Sequence, residues 1–245
     1  MKRSSSFHPW LMAIILFSFS CGSNETKTEE ATSDTTAAAT TTPTPATPAS
    51  TTTTVPQTTM STMHKVKDFD AWLASFEAND SLRLANGIHK YVIGRSTKDP
   101  NMVLVVVKVD DLAKAKAFSK NASLKQAMQK SGVIGTPTFK FTTLTFRDSA
   151  QISATLRSNT SITVKDWDKW QKSFDSTRQL NTDNGLAVRA YGYDPDDNHK
   201  VTIVTAILDS AKAAAYWNSD MLKQRRIASG AGEPTRFIYT MVKRY

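Results

Sequence analysis

The chain has 245 residues, with 31 Lys and Arg against 22 Asp and Glu and a formal net charge of +9. Hydrophobic residues make up 40% of it, enough for one large or two small domains, and the single Cys excludes a disulfide scaffold. The longest apolar run, residues 10–19, is about half of the ~20 residues that a membrane-spanning helix needs. Composition therefore excludes a wholly disordered chain, and no segment is predicted to be an ordinary transmembrane helix.

The amino-terminal segment has the order of a secretory signal, in which Lys2 and Arg3 precede the apolar run and small residues lead to Cys21. Because the only Cys ends this segment, residues 1–20 resemble a bacterial lipoprotein signal peptide, which implies a lipid anchor on Cys21. Two acyl chains are enough for stable attachment to a membrane. Gly22 rather than Asp after the Cys implies the outer membrane, on its periplasmic side or at the cell surface. Ordinary secretion with an unpaired thiol is the alternative.

Residues 21–59 are rich in Thr, Ala, Ser and Pro and have no apolar periodicity. This composition predicts a disordered tether that holds the globular part away from the membrane. Further along, most basic residues are scattered as on solvated helix faces, and export removes access to nucleic acid, so no nucleic-acid partner is expected. Lys223, Arg225 and Arg226 form the one tight basic cluster, which indicates either a binding patch or a solvated helix face.

The remainder of the chain is an internal duplication. Residues 66–72, Val-Lys-Asp-Phe-Asp-Ala-Trp, recur 98 positions later as Val-Lys-Asp-Trp-Asp-Lys-Trp. The register holds through Asn-Gly at 86 and 184 and through Ser-Gly at 131 and 229. We therefore predict two units, residues 60–148 and residues 150–245.

Each unit is predicted to run strand, helix, strand, strand, helix, strand. In the first unit, Asp68 is placed to cap the first helix and Gly87 to close it with a left-handed turn. Turn residues at 98–101 predict a hairpin, and residues 121–123 predict a break in the second helix. This order is typical of a ferredoxin-like βαββαβ unit of the α+β class. Two such units in one chain predict a monomer whose sheets pack together as an intrachain pseudo-dimeric α+β barrel.

Strand periodicity predicts which side chains face the helices. The set beneath the helices is predicted to comprise Ile88, Val92, Leu186, Val188 and Ala190. On the first strand of the second unit the helix-facing set is predicted to include Leu156 and Ile162, which places Asn159 on the opposite face. The alternate residues are predicted to point away from the helices, towards the other sheet: His89, Tyr91, Ile93, Arg95, Ala187, Arg189, Tyr191 and Tyr193.

The Asp-x-Asp-x-Trp helix opening at 68–72, the Asn-Gly-Ile turn at 86–88 and the split second helix resemble the dimeric α+β barrel superfamily, in its antibiotic-biosynthesis-monooxygenase-like branch. That superfamily includes cofactor-free monooxygenases, haem-degrading enzymes and modules without known activity. The resemblance places Trp217 where haem-degrading members have a Trp, and Asn159 near their strand Asn. Arg225, Arg226 and Ile227 stand where their His would fall, so neither haem nor another cofactor is expected.

We predict ligand-binding roles for a set of polar and aromatic residues: Trp217, Tyr191, Arg189, Asn159, His89 and Tyr91. Each has a structural alternative, namely core packing for Trp217, inter-sheet stacking for Arg189 and Tyr191, and an inter-sheet polar contact for His89. The four His residues never pair at ligand spacing, so no metal site is predicted. The sequence favours a membrane-anchored module that binds a small aromatic or anionic molecule or interacts within the envelope. The alternative is a cofactor-independent monooxygenase acting on a phenolic or quinol-type substrate.

Overall fold

The computed structural model describes residues 56–245. The signal peptide, Cys21 and most of the tether lie outside the described residues. Strand β1 begins at Gln57, so residues 57–59, which the sequence assigned to the tether, belong to the first repeat. Within the described part, every helix is too short or too polar to cross a membrane.

The first repeat has the predicted order of strands and helices, with each helical region divided in two. Its elements are β1 (Gln57–Val66), α1 (Phe69–Ala78), α2 (Asp80–Leu84), β2 (Ile88–Ser96), β3 (Met102–Val109), α3 (Leu112–Ser119), α4 (Ala122–Lys130) and β4 (Val133–Arg147).

The second repeat copies this order. Its elements are β5 (Leu156–Thr163), α5 (Trp167–Ser176), α6 (Gln179–Asp183), β6 (Leu186–Asp194), β7 (Asp197–Ile207), α7 (Ser210–Trp217), α8 (Asp220–Ala228) and β8 (Thr235–Arg244). Strand β6 and helices α5, α7 and α8 begin and end 98 residues after their counterparts in the first repeat, which confirms the predicted duplication.

The predicted helix ends are present in both repeats. The Asp68 carboxylate accepts a hydrogen bond from the Ala71 amide at 2.8 Å, and Asp166 accepts one from Lys169 at the same distance. Gly87 and Gly185 follow the short helices α2 and α6 with φ of 66° and 73°, a left-handed conformation that favours glycine. Asp68 and Asp166 therefore cap the first helix of their repeats, as predicted for Asp68.

The eight strands form one closed antiparallel barrel in the order β1-β3-β2-β8-β5-β7-β6-β4. Each repeat contributes a four-stranded ferredoxin-like sheet, and two seams join the sheets: β2 pairs with β8, and β4 pairs with β6. These seams leave neither sheet with a free edge. The structure confirms the predicted fold and shows that the sheets meet edge to edge around a common interior.

Equivalent glycines lie at the two seams. A Cβ on Gly94 would come within 2.2 Å of the Tyr239 ring, and one on Gly192 within 2.0 Å of the Thr143 carbonyl oxygen. Both distances are shorter than any van der Waals contact. The barrel therefore closes at positions where a neighbouring strand occupies the space of a side chain.

The predicted orientation of strand residues is wrong beyond the middle of β2 and β6. The register of each strand shifts by one residue, at Tyr91 in β2 and at Arg189 in β6. Such a β-bulge reverses which face the following side chains occupy. Ile93 and Tyr191 consequently pack beneath the helices, in the two helix-side cores. Arg95, over the Phe69 ring at 4.0 Å, and Tyr193, 4.7 Å from the Trp167 ring, also lie on the helix side.

Candidate functional site

Three cavities are relevant to the predicted ligand-binding residues. The first cavity lies between the helices and the sheet of the first repeat and has a volume of about 80 Å³. The second cavity lies in the same place in the second repeat, with about 110 Å³. The interior cavity lies inside the barrel, between the two sheets, with about 90 Å³. Since a cavity of about 10–15 Å³ holds one water, each of these cavities holds a molecule of roughly one ring.

The first cavity is almost entirely apolar. Its walls include aromatic and aliphatic side chains from the sheet and from four helices: Met60, Trp72, Phe76, Leu82, Ile88, Val105, Val107, Phe118, Leu124, Met128 and Phe139. Many of them also belong to the helix-side core of the first repeat. Burial of this apolar surface fixes the walls, so the cavity is a rigid feature of the core.

His64 is an exception within this apolar lining. His64 is 5% exposed, and neither its Nδ1 nor its Nε2 has a hydrogen-bond partner in the described structure. The imidazole meets the Trp72 ring edge to face at 5.5 Å between centroids. Burial lowers the pKa of His64 from 6.5 to about 4, so the ring is neutral at pH 7.

Most other polar side chains around the first cavity already have partners. The Thr62 hydroxyl donates to the Thr138 carbonyl at 3.2 Å, and the Asn79 amide donates to the Ser75 carbonyl at 2.8 Å. Arg83 stacks on Phe76 and donates to its carbonyl oxygen at 2.6 Å, leaving Nε buried and unpaired. The cavity therefore offers an imidazole and one guanidinium N–H to a guest molecule.

The second cavity has a different chemistry. Trp217 lines it, and the Arg236 guanidinium lies 5.0 Å from the centre of the Trp217 ring. Arg225 and Arg226 line it from helix α8. Trp217 therefore contributes to a cavity wall, in addition to packing against the core around Leu186 and Tyr216.

Three of the predicted ligand-binding residues come together in the interior cavity: Tyr91, Asn159 and Arg189. The sequence placed Asn159 on the face away from the helices, and it lies there. Three cations surround the Tyr91 ring within 6 Å of its centre: Lys108, Arg147 and Arg244. Of these three, Arg244 lines the cavity, together with Arg157, Arg189 and the Asp148 carboxylate, so the lining has more cations than anions around an aromatic ring.

Arg189 is engaged with the segment that joins the two repeats. Its guanidinium forms a 2.6 Å ion pair with Asp148 and also donates to the Ala150 carbonyl. Its own carbonyl accepts from the Asp148 amide at 2.8 Å. Arg189 thus holds the inter-repeat connection against the barrel, and both terminal nitrogens of its guanidinium donate within the chain.

Tyr191 and His89 lie outside all three cavities. Tyr191 stacks on Phe146 at 5.2 Å and donates its hydroxyl to the Asp175 carboxylate at 2.7 Å, so it belongs to the core of the second repeat. Burial, followed by this hydrogen bond, raises the Tyr191 pKa. His89 is 45% exposed and bonds Asp110 at 2.8 Å, so the predicted inter-sheet contact of His89 is wrong.

Sequence reasoning missed His64 as a site residue. The signal was present, because position 64 aligns with Ile162, which the strand pattern of the second repeat placed beneath the helices. A His at a position where the duplicate has Ile indicates a buried polar group in one copy only. Among the described residues, no three His, Cys, Asp or Glu side chains come close enough to hold a metal ion.

Comparison with protein families gives one match, which covers the first repeat. Residues 54–143, essentially the first repeat, match the model of a domain of unknown function, DUF3764. A search of curated protein sequences finds no match.

Solved structures give the architecture. The chain is similar to a candidate monooxygenase from Fusobacterium nucleatum with a TM-score of 0.52 and 13% identity, over 77% of this chain and 93% of that one. It is similar to a candidate chlorite dismutase with a TM-score of 0.53 and 11% identity, over 76% of this chain and 95% of that one. At these identities the similarity concerns the fold, and the chain has the dimeric α+β barrel fold within one polypeptide.

Proposed function

We propose that this protein is a small-molecule-binding lipoprotein of the cell envelope, and that its first cavity binds a single-ring aromatic compound with a hydroxyl group. The observation that carries this proposal is His64, a neutral imidazole with two unpaired nitrogens on the wall of an apolar cavity. A phenolic hydroxyl donates a hydrogen bond to a neutral imidazole, and the ring occupies the apolar space.

The energetic argument is that a buried unpaired polar group costs about 1–3 kcal/mol of stability. A buried water offsets that cost where it finds two to four polar partners. Thr62 and Asn79 already donate to backbone carbonyls, so the first cavity offers a water His64 and the Arg83 Nε–H among apolar walls. An amphipathic guest satisfies His64 and fills the apolar remainder of the cavity at the same time.

Calorimetric titration with 4-methylphenol and with toluene tests this assignment. Both fit one ring, but only 4-methylphenol donates a hydrogen bond. We expect 4-methylphenol to bind more tightly by about tenfold, and His64→Ile to remove this preference while toluene binding persists. His89→Gln, a change at an exposed His, is the matched control and keeps the preference. Equal binding of the two compounds, or no binding of either, contradicts the proposal.

The second candidate function is cofactor-independent oxygenation of a phenolic or quinol-type substrate in the first cavity. In such a reaction a CH₂ group becomes C=O, with one oxygen atom from O₂, and the other leaves as water. His64 is the observation that favours it, since an imidazole is a common general base. A pKa of about 4 lies well below the neutral range in which a general base works best, so binding ranks above catalysis. Oxygen uptake with a single-ring phenolic substrate, lost in His64→Ile and retained in His89→Gln, tests it.

Envelope anchoring rests on the sequence, through Lys2, Arg3, the apolar run and Cys21. Labelling of producing cells with radioactive palmitate tests it. We expect label in the wild-type protein and none in Cys21→Ser. Label that persists in Cys21→Ser, or its absence from the wild type, contradicts the anchor.

A further inference from the structure

The duplicated cavities have diverged in charge. Three apolar residues of the first cavity are replaced by arginines in the second: Ala127 by Arg225, Met128 by Arg226, and Phe139 by Arg236. The strand pairings support the last equivalence, because Phe139 faces Thr62 on β1 and Arg236 faces Thr160, the Thr62 counterpart, on β5. The two cavities therefore have the same place in the fold and different chemistry.

Two of the three guanidinium groups have no acidic partner in the described structure. Arg226 forms a 2.7 Å ion pair with Glu233, whose side chain is 82% exposed. Arg225 and Arg236 form no ion pair, and Arg236 Nε is buried without a hydrogen bond. Burial lowers the Arg236 pKa, the charge of Arg226 acts in the same direction, and the charge of Glu233 opposes them. Arg225 and Arg236 are half-buried, and a partly buried cation without a paired anion is costly, so an anionic guest would be stabilised here.

Thr205 is a further polar group that favours an anionic guest in the second cavity. Thr205 stands where the first repeat has Val107, and both line their cavities. Thr205 is 6% exposed, and its hydroxyl has no hydrogen-bond partner. It is a donor placed among apolar neighbours, in a position where the duplicate of the same fold uses an apolar residue.

The apolar part of the second cavity's lining includes aromatic and aliphatic side chains: Trp170, Phe174, Leu186, Tyr216, Trp217 and Leu222. Neutral polar residues also line it: Thr160, Ser173, Thr177, Asn181 and Ser229. A fully hydrated anion such as phosphate leaves the apolar part unfilled. A carboxylate on an aromatic ring uses both parts, because a carboxylate matches the guanidinium fork and the ring covers the apolar walls.

We propose that the second cavity binds a small aromatic carboxylate, held by Arg225 and Arg236, with Thr205 donating to the carboxylate and Trp217 against the ring. The volume of about 110 Å³ accommodates one ring. This assignment is independent of the phenol site in the first repeat, since the two cavities share no wall residue. The protein would then have one site for a neutral aromatic ring and one for an anionic aromatic ring, at equivalent places in its two repeats.

Calorimetric titration of the full chain with benzoate, and with benzamide as its uncharged isostere, tests the proposal. We expect benzoate to bind and benzamide to bind at least tenfold more weakly. Arg225→Gln and Arg236→Gln should each weaken benzoate binding by about tenfold, since a hydrogen bond to a charged group is lost. Lys223→Gln, an exposed change on the same helix, is the matched control and should leave the affinity within about twofold.

Urea denaturation of each variant shows that it is folded, and titration with 4-methylphenol keeps the two proposals apart. Three results overturn the assignment of the second cavity. The first is equal binding of benzoate and benzamide. The second is a loss of benzoate affinity in Lys223→Gln as large as that in Arg225→Gln. The third is binding of inorganic phosphate as tight as that of benzoate. The last result would identify an anion site without a place for the ring.

Discussion

His64 and Ile162 occupy the same position in the two repeats, 98 residues apart in the chain and facing equivalent cavities. Ile162 packs in the apolar core of the second repeat, whereas His64 keeps two unpaired ring nitrogens in the first. The fold therefore demonstrates that an aliphatic side chain is suited to this position. A His there lowers stability, and we attribute its presence to ligand binding.

The reciprocal exchange of these residues tests the energetic part of that statement. We expect His64→Ile to raise the free energy of unfolding by about 1–3 kcal/mol, because it removes a buried unpaired imidazole. Ile162→His should lower it by a similar amount. Urea denaturation of the two variants and the wild type measures both effects. Destabilisation by His64→Ile would mean that the imidazole has a structural partner within the protein.

The pH dependence of stability follows from the same residue. The folded chain keeps His64 neutral until about pH 4, whereas the unfolded chain protonates it near 6.5. His64 therefore does not reduce the free energy of unfolding above pH 6.5. As the pH falls from 6.5 towards 4, protonation of His64 in the unfolded chain lowers that free energy by about 3 kcal/mol. Urea denaturation across this range should show the decrease in the wild type and a much smaller one in His64→Ile.

A second group limits the pH range of that comparison. Burial raises the Glu77 pKa, but hydrogen bonds from Lys243 and Lys90 outweigh this effect and hold it at about 2. Glu77 therefore adds its own loss of stability below pH 4.5, in the wild type and in His64→Ile alike. Equal slopes for the two proteins between pH 6.5 and 4.5 would contradict a buried neutral His64.

The seam between β4 and β6 predicts a severe effect of one methyl group. Gly192→Ala places Cβ 2.0 Å from the Thr143 carbonyl oxygen, and that backbone cannot move without breaking the strand pairing. We expect a loss of about 3 kcal/mol or more in thermal or urea unfolding. Gly232→Ala is the control, since the atom nearest to its added Cβ is the Thr163 carbonyl oxygen at 3.4 Å. This variant should have nearly the same free energy of unfolding as the wild type. Similar stabilities of the two variants would contradict the closed seam.

The pseudo-symmetry predicts the behaviour of one repeat alone. Residues 56–148 would expose the two sheet edges, β2 and β4, that normally pair with β8 and β6. Because β8 and β6 are the counterparts of β4 and β2, two copies of the first repeat can close the same barrel. Light scattering after size-exclusion chromatography should show a dimer. A stable, folded monomer would show that the seams contribute little.

The sequence predicted most of the architecture because the signals are local and occur twice. Asp68 and Asp166 cap equivalent helices, and the 98-residue repeat aligns strand β6 and three of the helices without a gap. The positions of Tyr191 and Arg95 could not be predicted, because a bulge inserts one residue in mid-strand and reverses the alternation that follows. The bulges occur at equivalent positions in both repeats, so comparison of the repeats did not reveal them.

The candidate sites were less predictable than the fold. Asn159 and Tyr91 share the interior cavity as the strand pattern suggested, but Arg189 uses its donors on Asp148 and Ala150. That pairing depends on the path of the inter-repeat segment, which has no periodic signal. The alignment of the two repeats does show that the cavities differ, because His64 aligns with Ile162 and Met128 aligns with Arg226.

Nitrogen NMR of ¹⁵N-histidine-labelled protein, titrated with 4-methylphenol at pH 7, measures the central claim directly. The imidazole nitrogens of His64 should have the shifts of a neutral ring in the free protein. On titration, one of them should move to the position of a hydrogen-bond acceptor, while the His89 and His199 nitrogens stay unchanged. Binding of 4-methylphenol that leaves both His64 nitrogens unchanged would contradict the account.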